Sequence, residues 1–240
     1  MRATKWWSQL LFLSLLSSAG AVFAADPTNG TGYLKAAHPQ TAESGAKIEV
    51  TEFFSYHCPH CYALDPALNA WVARHRSDVI FKRVHVAWGE QGSSTQRTLR
   101  ALQRGFYTLT ALGKLPQFHK KLFDAFQLQH VPLFSDEEVT AFLIGQGIDQ
   151  KSYVTASRSF SVESNMQRAV QAMQKYALTG VPNLVVDGRF VTSPSLAALG
   201  ISSASERADD ASAIKVLDVL VAAVKAERLA TRTTSAPKKN

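Results

Sequence analysis

The chain has 240 residues, 46% of them hydrophobic, and 26 Lys and Arg against 19 Asp and Glu, for a formal net charge of +7. That length and apolar content suit one ordinary core with a satellite subdomain, and only two cysteines leave no framework for a disulfide-stapled scaffold. The positive excess sits partly at the two ends, with no Lys/Arg stripe or interleaved aromatics, which argues against nucleic acid as a partner.

Arg2 and Lys5 precede an apolar run, Leu10 to Leu16, broken only by Ser14. Val22-Phe23-Ala24 then offers the small or modest side chains that a signal peptidase reads, so residues 1–24 are expected to be a signal peptide cleaved after Ala24. An uncleaved anchor is the competing reading, but the run falls short of the ~20 apolar residues of a membrane helix. No cysteine follows it for lipid attachment. A soluble, exported protein is expected, in a compartment where disulfides persist.

Residues 25–47 are polar and rich in Gly, Pro and Ala: a leader with a short edge strand near Tyr33-Leu34. Ile48 to Ser55 reads as a strand, with Ile48, Val50, Glu52 and Phe54 on one face and Thr51 and Phe53 on the other. Glu52 thus shares a face with apolar residues, where a carboxylate is costly without a role or a partner. It is either a proton relay for Cys61 or a group reaching to Lys82 or Arg83, and the two are compatible. Both cysteines follow, in Cys58-Pro59-His60-Cys61. A helix from there to about His75 buries Leu64, Leu68, Trp71 and Val72, with Pro59 near its first position and Pro66 expected to kink it. Val79 to Val86 is the next strand.

Residues 89–160 change character to an all-helical insert. Thr95 to Leu112, Gln117 to Gln129 and Glu137 to Ile144 carry helical patterns; Ser135 and Glu138 form a capping-box signal, and Thr140 to Gly147 reads as a fraying end. A helix from Val162 to Leu178 turns Val162, Met166, Ala169, Met173 and Ala177 inward, its methionines filling core rather than binding a ligand. Thr179-Gly180-Val181-Pro182 leads into two strands, Asn183 to Val186 and Arg189 to Thr192, joined by an Asp187-Gly188 turn. A proline just before such a strand is where a tight turn can hold a cis bond. Ser202 to Asp210 is a polar connection with at most one turn of helix. Ala211 to Leu229 is a terminal helix with Ile214, Leu217, Val221 and Val224 inward, and residues 230–240 form a disordered basic tail. The order implies an α/β fold: a thioredoxin-like domain in two parts, 48–88 and 161–229, carrying the inserted all-helical subdomain.

Cys-x-x-Cys on a strand-to-helix turn is the arrangement of a redox dithiol, because a cysteine at a helix N-terminus faces unpaired N–H groups that favour its thiolate. An inert structural disulfide so short constrains little chain entropy. Haem attachment needs a histidine where Tyr62 stands. Metal binding by His57, Cys58, His60 and Cys61 lacks the second ligand pair of most tetrahedral sites. Tyr56 and Tyr62 either line a groove for unfolded peptides or belong to interdomain core. His85 reads as packed and hydrogen-bonded, while His38, His75, His119 and His130 show no constellation.

Phe53-Phe54-Ser55, Cys58-Pro59-His60-Cys61-Tyr62 and the distant Gly180-Val181-Pro182 resemble the DsbA family of periplasmic thiol:disulfide oxidases, over about residues 48–229. The resemblance implies a strongly oxidising, redox-active Cys58–Cys61 disulfide in a periplasmic protein. By matching position, Cys58 is the nucleophile, His60 favours its thiolate and Cys61 is the buried resolving cysteine. Pro182 is the cis-proline, Val181 precedes it with backbone free to pair with an extended substrate, and Glu52 is the buried acid. It further implies newly exported cysteine-containing proteins as clients and a quinone-linked membrane partner of the DsbB type; a monomer with no cofactor or metal is expected. Three departures stand out: His57 where an apolar or aromatic residue is expected, Arg83 where a lysine is expected, and no second cysteine pair. A disulfide isomerase or reductase of the same fold is the nearest alternative, although nothing between Asp26 and Lys47 is large enough for a dimerising domain. A peptide- or metal-binding carrier is the alternative of a different class.

Overall fold

The computed structural model describes residues 27–199 and 206–235, so the expected signal peptide and the last residues of the tail lie outside it. Strands β1 (Thr28–Asn29) and β2 (Gly32–Lys35) open the described chain, then β3 (Ile48–Phe54), α1 (Pro59–Arg74) and β4 (Val79–His85). Four helices follow: α2 (Ser94–Ala111), α3 (Leu115–Gln127), α4 (Asp136–Gly145) and α5 (Gln150–Ser157). Helix α6 (Phe160–Lys175) leads back to β5 (Asn183–Val186), β6 (Phe190–Thr192), α7 (Pro194–Ala198) and α8 (Glu206–Ser235). Among the described residues no helix is long and apolar enough to cross a membrane.

The strands form one sheet in the order β1-β2-β6-β5-β3-β4. β3 runs parallel to β4, with Glu52 opposite Arg83, and antiparallel to β5, with Glu52 opposite Leu184. Two cores flank this sheet. One joins Ile48 and Val50 to Leu64, Leu68 and Trp71 of α1 and to Leu217, Val221 and Val224 of α8. The other gathers Phe53, Phe54, Tyr56 and Cys61 with Phe106 of α2, Phe123 of α3 and Met166 of α6. This is a mixed sheet flanked by helices, a thioredoxin fold with a helical insertion, and the cysteines sit where the insert meets the sheet.

Local chemistry sets the joints. Asp187 and Gly188 have φ of 54° and 65°, the paired positive angles of a tight hairpin turn. The Ser135–Glu138 capping box is made in both directions, at 3.2 and 2.9 Å. Helix α1 passes through Pro66 without a break, although the proline leaves the Tyr62 carbonyl without its helical donor.

Several expectations are corrected. Helix α6 ends at Lys175, not Leu178, because Ala177 takes a φ of 53° and the Leu178 amide donates back to Met173 at 3.0 Å; Ala177 is exposed rather than inward. The end of α4 is not frayed: Gly147 at φ 97° lets the Ile148 amide close on the Leu143 carbonyl at 3.1 Å. Tyr33-Leu34 lies in β2, but β1 takes the edge beyond it. Helices α5 and α7 were not anticipated; Asp149 caps the first and Ser193 the second. Helix α8 starts at Glu206 rather than Ala211 and runs past Leu229 to Ser235, into the stretch expected to be disordered, since no Gly or Pro interrupts those residues.

Candidate active site

Where β3 ends, Ser55, Tyr56 and His57 turn the chain into α1. The His57 amide donates to Ser55 Oγ at 3.2 Å and the Cys58 amide to the Ser55 carbonyl at 3.1 Å. Cys58 is the N-cap of α1 in an extended conformation, with Pro59 in the first turn, where its missing N–H costs nothing. Cys58 is half-buried, Cys61 fully buried one turn further in, and both are free thiols.

That placement splits the two sulfurs. The Cys58 thiol is brought down to about 6, chiefly by donation from the Cys61 thiol; burial opposes this, and the Cys61 and His60 amides and the His60 side chain add to it. Cys61 is pushed well up, by burial first, then by giving its proton toward Cys58 and by the negative charges of Cys58 and Glu52. The protonated Cys58 thiol also lies 3.5 Å from the Val181 carbonyl oxygen, to which it donates. The Val181–Pro182 bond is cis, and Asn183 Nδ2 ties the turn to the Gly180 carbonyl at 2.7 Å. Beside it opens a groove of about 610 Å³ lined by His60, Val181, Pro182, Leu34, Tyr176 and Leu196.

Under the cysteines lies a buried polar cluster. Glu52 is fully buried and accepts from Arg83 Nε at 2.8 Å, while its Oε1 has no partner. Burial raises its carboxyl to about 7, with Arg83 opposing and Asp65 adding to the rise. Arg83 also donates to Asp65 Oδ1 at 2.9 Å and Asn69 Oδ1 at 2.7 Å. Of the two cationic partners expected for Glu52, only Arg83 reaches it; Lys82 pairs with Glu49 at 2.7 Å, because neighbouring strand residues face opposite sides.

Tyr56 is fully buried and does not line a groove: its hydroxyl meets His119 Nδ1 at 2.9 Å, and its ring packs on Phe54 and Phe123. Its main chain pins the active-site loop, the amide donating to His85 Nε2 at 3.1 Å and the carbonyl accepting from Gln127 of α3 at 2.7 Å. Tyr62 is half-buried, outside the groove beside Pro182, and donates to Asp124 of α3 at 3.1 Å. His85 is packed and hydrogen-bonded, and burial lowers it to about 3, so its ring is neutral. His57 is exposed, its ring centroid 5.2 Å from that of Phe126. Among the described residues no group of three or more His, Cys, Asp or Glu side chains could hold a metal ion.

Two members of the cluster, Asp65 and His119, escaped the sequence reading. A signal existed for each. Asp65 stands four residues after Cys61 on the buried stripe of α1, and His119 four residues before Phe123 on that of α3.

The family model of the DSBA-like thioredoxin domain matches residues 49–200. The thiol:disulfide interchange protein DsbA of Burkholderia cepacia is 34% identical over 188 residues, covering 78% of this chain and 85% of that protein. Its namesake in Azotobacter vinelandii is 36% identical over 178 residues, covering 74% and 79%. The crystal structure of Pseudomonas aeruginosa DsbA superposes with a TM-score of 0.72 at 29% identity, over 85% of this chain and 96% of that one.

Proposed function

The chain belongs to the DsbA family of thioredoxin-fold thiol:disulfide oxidoreductases, and from that premise we propose how its residues divide the work. It is a thiol:disulfide oxidase acting through a mixed disulfide at a cysteine, and family membership implies a periplasmic protein with exported cysteine-containing clients. In our reading, a client thiolate attacks Cys58 of the Cys58–Cys61 disulfide, and Cys61 leaves and takes up a proton. A second client thiolate then attacks the client's own sulfur in the mixed disulfide, forming the client disulfide and expelling Cys58 as a thiolate. Two electrons pass to this protein for each disulfide made. The observation that carries the reading is the asymmetry of the sulfurs: the outer one half-exposed and easily ionised, the inner one buried and hard to ionise.

His60 donates to the Cys58 thiolate. Glu52, with one unpartnered oxygen and an ionisation near neutrality, exchanges the proton that Cys61 gains on leaving and loses on resolving. Val181 and Pro182 present backbone at the groove for an extended client segment. We further propose cleavage after Ala24, a monomeric protein, and residues 89–160 as the insert within the two-part domain. Each turnover leaves a dithiol, so an acceptor of two electrons must restore the disulfide; a quinone-linked membrane protein of the DsbB type fits that need.

The test is equilibration with glutathione, together with oxidation of a reduced, unfolded cysteine-containing protein. A strongly oxidising potential, rapid oxidation, and loss of exchange in Cys58→Ser are expected. A potential near that of cytosolic thioredoxins, about −270 mV, contradicts the oxidase reading and favours a reductase.

A further inference from the structure

Helix α3 belongs to the insert, yet one of its side chains is built into the floor of the dithiol site. His119 is 6% exposed, with both ring nitrogens engaged: Nδ1 with the Tyr56 hydroxyl at 2.9 Å and Nε2 with Asp65 Oδ1 at 3.1 Å. Asp65 accepts at that same oxygen from Arg83 and at its other oxygen from Asn69 at 2.7 Å. Arg83 in turn donates to Glu52. An unbroken line of hydrogen bonds therefore joins the insert to the buried acid.

The partners dictate the protonation states. Arg83 keeps its charge. Burial works against ionised Asp65, but His119, Arg83 and Asn69 outweigh it and hold its carboxyl below the usual value. A carboxylate can only accept, so Nε2 carries the ring proton and Nδ1 accepts from the Tyr56 hydroxyl. Burial, the largest influence on the ring, favours that neutral form. The titratable and charged groups facing the ring are Asp65 from α1, Tyr56 from the loop after β3, and Arg83 and His85 from β4. On its own helix, Lys120 and Asp124 pair with each other.

Asp65 and Glu52 share one guanidinium. We propose that His119 is a positioning residue for the buried acid: by donating to Asp65 it frees Arg83 for Glu52, so the insert tunes the group that serves Cys61. The inference rests on the role given to Glu52 for its bearing on exchange, but the link itself can be read separately. Without the imidazole donor, ionised Asp65 draws more on the shared guanidinium, ionised Glu52 loses part of its charge-assisted hydrogen bond from Arg83, and Glu52 keeps its proton to higher pH.

The experiment follows the Glu52 carboxyl carbon by NMR across pH in the full, oxidised protein, where no thiol titrates. It compares wild type with His119→Phe, which keeps an aromatic ring but no donor, and His119→Gln, which keeps a donor for Asp65 and an acceptor for Tyr56. Wild type should titrate at about 7, His119→Phe about tenfold weaker in ionisation constant, one pH unit higher, and His119→Gln close to wild type. An unmoved midpoint in His119→Phe, or a His119→Gln midpoint raised as far as that of His119→Phe, overturns the proposal in favour of ring packing alone. Should His119→Phe fail to fold, His119→Leu, which likewise lacks a donor, replaces it: a midpoint about one unit higher supports the link, and an unmoved one overturns it. The pH profile of the resolving step is measured in parallel. If the carboxyl shifts and the rate profile does not follow, the role of Glu52 falls while the His119 link stands.

Discussion

Arg83 donates through Nε to one oxygen of Glu52 at 2.8 Å and leaves the other oxygen, Oε1, buried with no partner. The acid is held in place by half of its capacity, and the free half lies in the buried cluster whose charge bears on Cys61. Such a group is costly to ionise and chemically useful for that reason.

Its signature should appear in stability. Burial raises the folded carboxyl from 4.5 to about 7. The stability it contributes is therefore fully present below about pH 4.5 and is lost as pH rises through about 7. At ~1.4 kcal/mol per unit, the loss is at most roughly 3 kcal/mol. Urea unfolding of the oxidised protein across this window should show a falling limb that Glu52→Gln flattens. Equal slopes in the two proteins would show that the carboxyl does not titrate there.

His60→Ala removes one of the donors to the Cys58 sulfur while leaving the Cys61 thiol and the helix amides in place. The Cys58 pKa should rise from about 6, its ionisation constant falling roughly tenfold, and the glutathione equilibrium should move toward a less oxidising dithiol. A thiol titration and a redox equilibrium both unchanged would remove His60 from the account.

Gly188 has φ 65°, and a Cβ placed there would stand 2.1 Å from the Gln40 carbonyl oxygen, a backbone atom that cannot swing aside. Its own carbonyl also accepts from the Gln40 amide at 2.9 Å. Gly188→Ala should cost roughly 2 kcal/mol or more in chemical unfolding, with Cys58 still titrating normally. Wild-type stability would mean that the leader does not pack on this turn.

The sequence made the dithiol legible because its signal is local: two cysteines, a proline and a histidine on a strand-to-helix turn. The Asp187-Gly188 turn was legible for the same reason, since residue type alone specifies positive φ. The floor of the site was only half legible. Glu52 stood out as a carboxylate on an apolar face, and Arg83 as one of two candidate partners. Asp65 and His119 occupy the same kind of position, yet their partners lie 54 residues apart in the chain, and helical periodicity cannot say which buried faces meet. For Tyr56 the sequence leaves groove and interdomain core open, and the structure puts it in the core: strand alternation does not extend into the turn, where the insert closes over the residue. Helices α5 and α7 were missed as single short segments whose caps, Asp149 and Ser193, are visible only once the boundary is known.

Oxidase chemistry at this site depends on the charge of one sulfur. Ultraviolet absorbance of the thiolate in the reduced protein, with Cys58→Ser as the blank, reads it directly. A single thiol ionising at about 6, far below the ordinary 9.0, with Cys61 silent over the same range, is the expected result. A Cys58 that ionises only near the ordinary value would contradict it.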